Sequence, residues 1–98
     1  MSRELSRVAE VAEHLAVRFS MVAEPLKQSA ITLRLVAEAE TSSLPNEIFT
    51  ATCNLASELP KSGRDREFVD GLNPFQADRI VGRILSLAKE LDTYVESK

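Results

Sequence analysis

Residues 5–37 read LSRVAEVAEHLAVRFSMVAEPLKQSAITLRLVA, and how this stretch divides decides the fold. Leu5, Val8, Ala12, Leu15, Phe19, Val22, Leu26, Ser29, Leu33 and Val36 follow one another at alternating steps of three and four. Such stepping places the side chains on one side of an α-helix, and it is kept for about five heptads. An alanine follows every second seam position (Ala9, Ala16, Ala23, Ala30, Ala37), and the triplet Val-Ala-Glu recurs at 8, 22 and 36. A methyl-sized side chain every seventh residue lets a second helix approach closely along that flank. Val17, Met21, Ile31 and Leu35 lie off the seam as a second apolar strip, so the segment is expected to meet more than one neighbour.

Pro25 interrupts this pattern. Inside a helix it would remove one backbone hydrogen bond and collide with the carbonyl of Met21, at about 3 kcal/mol relative to alanine. The heptad register nevertheless runs through Pro25 without a skip, and Glu24, Leu26, Lys27 and Gln28 include no Gly or Asn to make a tight reversal. The reading favours a long helix over about 3–41, kinked at Pro25. The alternative is a break, with helices of about 3–24 and 26–41 forming a hairpin.

Downstream, Thr41 to Pro45 reads as a connection with Ser43 as N-cap, followed by a middle helix of about 44–59 that Pro60 ends. Its core face would be Ile48, Thr52, Leu55 and Leu59. Residues 60–73 carry Gly63 and the Asp70-Gly71 turn around a possible single turn of helix at about 66–69. Asn73-Pro74-Phe75-Gln76 then combines an N-cap, a first-turn proline and a Gln three residues after the cap, announcing a last helix over about 74–96. The fold class expected is all-α, a single helical bundle spanning residues 1–98.

Composition narrows the function classes. The 12 basic and 15 acidic residues are interspersed, leaving a formal charge of −3 and no basic block to track a phosphate backbone or an anionic membrane. No apolar run approaches the roughly 18 residues of a membrane span, and the lone Cys53 cannot form an internal disulfide, so a cytoplasmic protein is expected. His14, one turn after Glu10, could share a metal with it, but one such pair without a second His or Cys reads as an exposed helical histidine. Cys53 has no His for a catalytic dyad and reads as core, and Glu10, Glu13, Glu24, Glu38 and Glu40 read as a solvated face. Ser62-Gly63-Arg64 has one glycine where phosphate cradles need several. No enzyme, metal or other cofactor is expected.

Three short stretches carry resemblances. Leu26-Lys27-Gln28-Ser29-Ala30 is similar to the Leu-Lys-Gly-Ser-Ala core of histidine phosphotransfer domains, which are also helical bundles; Glu24 stands where that family has its phosphorylated histidine, so phosphotransfer is not implied. Leu55 to Leu59, a turn and Arg64 to Val69 resemble a helix-turn-helix, with Ala56 as its small residue and Pro60 in place of its glycine. Asn73-Pro74-Phe75 resembles the ligand of EH domains, although helix capping accounts for the same residues.

A straight helix of 39 residues would be about 59 Å long, nearly twice the width of a compact chain of this size. A kinked 3–41 helix would leave apolar face uncovered, and a two-fold homodimer would cover it. The function expected is therefore a non-enzymatic protein-protein interaction module, a small acidic adaptor, chaperone or inhibitor acting through a self-associating bundle. Leu5, Val8, Leu15, Phe19, Val22, Leu26, Leu33 and Val36 would form the dimer or bundle seam. Residues 61–72, with Arg64, Arg66, Phe68 and Val69, would meet a protein partner together with the exposed flank of the long helix, unless Phe68 folds back and plugs the end of the bundle. The alternative is a small DNA-binding regulator with a degenerate helix-turn-helix at about 50–71, whose Lys61, Arg64 and Arg66 would form a basic face.

Overall fold

A computed structural model describes residues 3–39, 44–61 and 63–96. The chain forms α1 (Arg3–Arg18), a 3₁₀ turn (Ser20–Val22), α2 (Ala23–Ala39), α3 (Asn46–Ser57), α4 (Asp65–Asp70) and α5 (Pro74–Glu96), with no strand among the described residues. The helices surround one core, to which α4 contributes Val69: α2 packs against α1 and α5, while α3 lies against α1 and α5. The all-α helical bundle expected from the seam is the fold.

The kinked helix over about 3–41 is not formed. The chain leaves the α-conformation at Phe19 (φ −113°, ψ 79°), and the Val22 N–H donates to the Phe19 carbonyl at 3.0 Å in the 3₁₀ turn. It then returns as α2 along α1, in the most extensive helix pairing of the molecule. Pro25 is the third residue of α2, where the N–H it lacks would have no intrahelical acceptor in any case. The carbonyl it would strike, that of Met21, belongs to the 3₁₀ turn and not to an α-helix. No glycine is needed either, because no described non-glycine residue has a positive φ. A hairpin also satisfies the unbroken heptad register, since each arm turns its own half of the seam inward.

Leu5, Val8, Leu15, Leu26, Leu33 and Val36 are buried in this core, and Phe19 and Val22 pack half-buried against it at the reversal. The expected dimer or bundle seam is thus the bundle's own interior. Ala9, Ala16, Ala30 and Ala37 are buried as well, as a close approach of α1 and α2 requires. Arg34 Nε donates to Glu13 Oε1 at 2.8 Å across the pair and marks its antiparallel register. The Cα radius of gyration of 12.6 Å leaves no room for a 59 Å rod.

The middle helix is shorter than expected, beginning at Asn46 with Pro45 as its cap residue and ending at Ser57; Ser43 and the 40–42 segment lie outside the described residues. Before α5 the capping box is complete, with Asn73 Oδ1 accepting from the Gln76 N–H at 2.8 Å and Gln76 Oε1 accepting from the Asn73 N–H at 3.1 Å. Gly82 is exposed, with open space where a side chain would point, so it mediates no close contact.

The connection from α3 to α5 is tied down by one side chain of α1. Arg7 donates through Nε to the Pro60 carbonyl at 2.9 Å, through Nη2 to the Lys61 carbonyl at 3.2 Å and through Nη1 to Glu10 Oε2 at 2.6 Å. Both Nη atoms also reach the buried carboxylate of Asp65, the first residue of α4. The hydrogen bond that Arg7 donates to Asp65 is the main cause of the raised pKa of Arg7. Gly63, at φ +91°, supplies the left-handed residue that turns the chain into α4. Arg7→Ala strands a buried carboxylate and frees two carbonyls, and should lower stability in urea denaturation by about 2–4 kcal/mol. A loss below about 0.5 kcal/mol would show that the connection is held by other contacts.

Candidate functional site

An amphipathic helix turns its apolar stripe inward, so large apolar side chains left in water on one face call for a reason. Val17 is 85% exposed, Met21 98%, Ile31 52% and Leu35 61%. These are the four residues of the second apolar strip. The reversal at 19–22 brings the two halves of that strip side by side. Val17 lies one turn beyond Glu13 on α1 and Ile31 one turn before Arg34 on α2, so the Glu13–Arg34 bond sets them at the same level of the hairpin. Leu35 continues the strip one turn along α2, and Met21 stands at the hairpin tip. Phe49, Phe75 and Val95 are also exposed, but on α3 and at the two ends of α5.

Charges border this face unevenly. Around its Leu35 end stand Glu10, Glu13 and Glu38, all near enough to Arg34 to raise its pKa, with the hydrogen bond that Arg34 donates to Glu13 the largest cause. Around its tip stand Arg18, which approaches Asp70 Oδ1 at 3.9 Å, and Lys27, 4.0 Å from Glu24 Oε1. Arg18 also lies over the Phe19 ring, 5.6 Å from its centroid. Beside Val17 a groove of about 300 Å³ runs between α1 and α4, lined by His14, Val17, Arg18, Arg66, Val69 and Asp70.

The residues expected to meet a partner divide. Arg64 and Arg66 are exposed, Phe68 is half-buried against the core, and Val69 is buried within it. Of the four, Arg66 borders the groove with an exposed side chain, and Val69 contributes to its wall. Periodicity alone could not separate them, because α4 has six residues, too few for a repeat to show. Lys61 is exposed too, but Asp65, Glu67 and Asp70 interleave with Arg64 and Arg66 along α4.

His14 Nδ1 lies 2.9 Å from the Glu10 carbonyl and 3.6 Å from Asp65 Oδ2, while the Glu10 carboxylate is taken by Arg7. Among the described residues no three His, Cys, Asp or Glu side chains gather as a metal site would need. Cys53 is half-buried on α3. A second groove, about 560 Å³, opens between the short α3 and α5 over Leu55 and Leu87. Nearby, Arg83 binds Glu58 and holds that carboxyl below its ordinary pKa. The groove's border is mixed in charge (Asp78, Arg79, Glu90), and it exposes no large apolar side chain.

Fold and surface together define a small antiparallel helical bundle with an apolar outer face on its first hairpin. No protein-family model matches the chain, and no curated protein or solved structure is significantly similar to it. No helix among the described residues is long and apolar enough to cross a membrane.

The burial of Phe68 has a direct consequence. Phe68→Ala should remove about 2 kcal/mol of stability and lower the melting temperature by several degrees, whereas His14→Ala should change stability by less than about 0.5 kcal/mol. Unaltered melting of the Phe68 variant would return this residue to the list of surface anchors.

Proposed function

We propose that the protein is a non-enzymatic interaction module that docks helix-on-helix through the outer face of its α1–α2 hairpin. One observation carries the reading: four large apolar side chains of the α1–α2 hairpin, Val17, Met21, Ile31 and Leu35, are exposed, and the Glu13–Arg34 register brings Val17 level with Ile31 on it. Scattered exposed apolar residues are ordinary, but a contiguous set rimmed by charge is the surface pattern of a docking site. Each such side chain, fully buried against a partner, contributes about 1.5–3 kcal/mol, part of which offsets the entropy lost on association.

Of the expected partner surface, the flank of the α1–α2 segment is kept and the 61–72 segment is given up. Phe68 and Val69 serve the core, and Arg66 remains as a charged neighbour of the docking face. Adaptors, chaperones and inhibitors all act through surfaces of this kind, and a net charge of −3 keeps the module soluble beside its apolar patch. The DNA-binding alternative loses support because α4, at six residues, is about 9 Å long and carries one basic residue, Arg66, against three acidic ones.

Replacing Leu35 by a photoreactive amino acid in the native host tests the proposal. Irradiation should give covalent protein adducts from position 35 and far fewer from the same residue placed at Asp78, on α5. Adduct yields from position 35 no higher than those from position 78 would remove the hairpin face as the docking surface.

A further inference from the structure

Resting on the reading of the hairpin face as a docking surface, we infer that its occupant is a second copy of this chain, packed antiparallel about a two-fold axis across α2. Spacing and charge along α2 carry the inference. On its outward side α2 presents Lys27, Ile31, Leu35 and Glu38 in succession, all exposed. Turning this helix end over end about a point between Ile31 and Leu35 lays Ile31 on the second copy's Leu35, and Lys27 beside the second copy's Glu38. Two-fold symmetry repeats each contact, so one helix face supplies two apolar pairs and two opposite-charge pairs.

The rim extends the match. The Leu35 end carries Glu10, Glu13 and Glu38 against Arg34, with Arg7 engaged by the buried Asp65. The tip end carries Arg18, Lys27 and Arg66 against Glu24 and Asp70. The first end is net acidic and the second net basic. An antiparallel copy places each on its opposite, whereas a parallel copy would bring like ends together. Area allows a small interface: the hairpin face is about 25 Å long and, across two adjacent helices, about 20 Å wide, about 500 Å² in projection before the relief of its side chains is added, near the lower end of specific interfaces at about 600 Å² per partner.

Sedimentation equilibrium on the full chain tests the assignment. At micromolar concentration the mass should be about twice the 10.8 kDa of one chain. Val17→Glu/Ile31→Glu should sediment as a monomer with unchanged far-ultraviolet circular dichroism, and the milder Ile31→Gln, which cannot unfold the bundle from an exposed position, should weaken the dimer at least tenfold. Lys27→Glu and Glu38→Lys should each weaken it about tenfold, since each reversal acts at two symmetric pairs, and the double reversal should return to within about threefold of the parent. A monomeric parent at 100 micromolar, with photoadducts at position 35 to other proteins, overturns the second copy and leaves the docking face standing. A dimer indifferent to Ile31→Gln and to the double glutamate variant also overturns it. Failure of the double reversal to recover overturns the antiparallel arrangement.

Discussion

The remainder of the bundle depends on the close contact between α1 and α2. Alanines at 9, 16, 30 and 37 are buried there, so the two backbones lie near enough for Leu5, Val8, Leu15, Leu26, Leu33 and Val36 to share one core. α5 packs on α2, and α3 lies between α1 and α5, each closing a side that the hairpin leaves open. The same contact explains why so few aromatics suffice: small residues at the helix interface let aliphatic side chains interdigitate at interior density. It also decides what stays outside, because once the seam is turned inward the strip of Val17, Met21, Ile31 and Leu35 can only face out.

Much of this was legible in the chain. The three-and-four stepping identified the buried residues almost one for one, and the Asn73–Gln76 box marked the start of α5. The second strip was visible as a strip, although its exposure was not. Pro25 misled because proline is equally at home in the first turn of a helix and at a kink, and the preceding reversal uses a 3₁₀ turn that needs no glycine. Heptad periodicity is blind to this choice: a seam folded back on itself keeps its register. The lever that could have decided it was length, since a 39-residue rod does not fit a 98-residue globule without a partner.

The tie between Arg7 and Asp65 was beyond pattern reading. The two residues are 58 positions apart, and Asp65 stands in a polar stretch that reads as loop. Their pairing, with the Arg7 bonds to the Pro60 and Lys61 carbonyls, holds α4 alongside α1, so that Arg66 borders the groove next to Val17. The residues of 61–72 expected to meet a partner are therefore split: Phe68 and Val69 complete the core, Arg66 joins the rim of the hairpin face, and Arg64 is exposed outside the groove's lining. A short segment with an apolar pair amid charges can serve either end, and only burial distinguishes them.

Both the core and the proposed docking face require that the chain reverses between Phe19 and Val22. Spin labels at Arg3 and Glu38, both exposed, measure this directly in a Cys53→Ser background diluted with unlabelled protein. Double electron–electron resonance should give a distance of about 15–25 Å, as expected for neighbouring antiparallel helices at 8–10 Å spacing with label linkers added. A distance of about 50 Å, that of a continuous helix between the two positions, would contradict the hairpin and everything built on it.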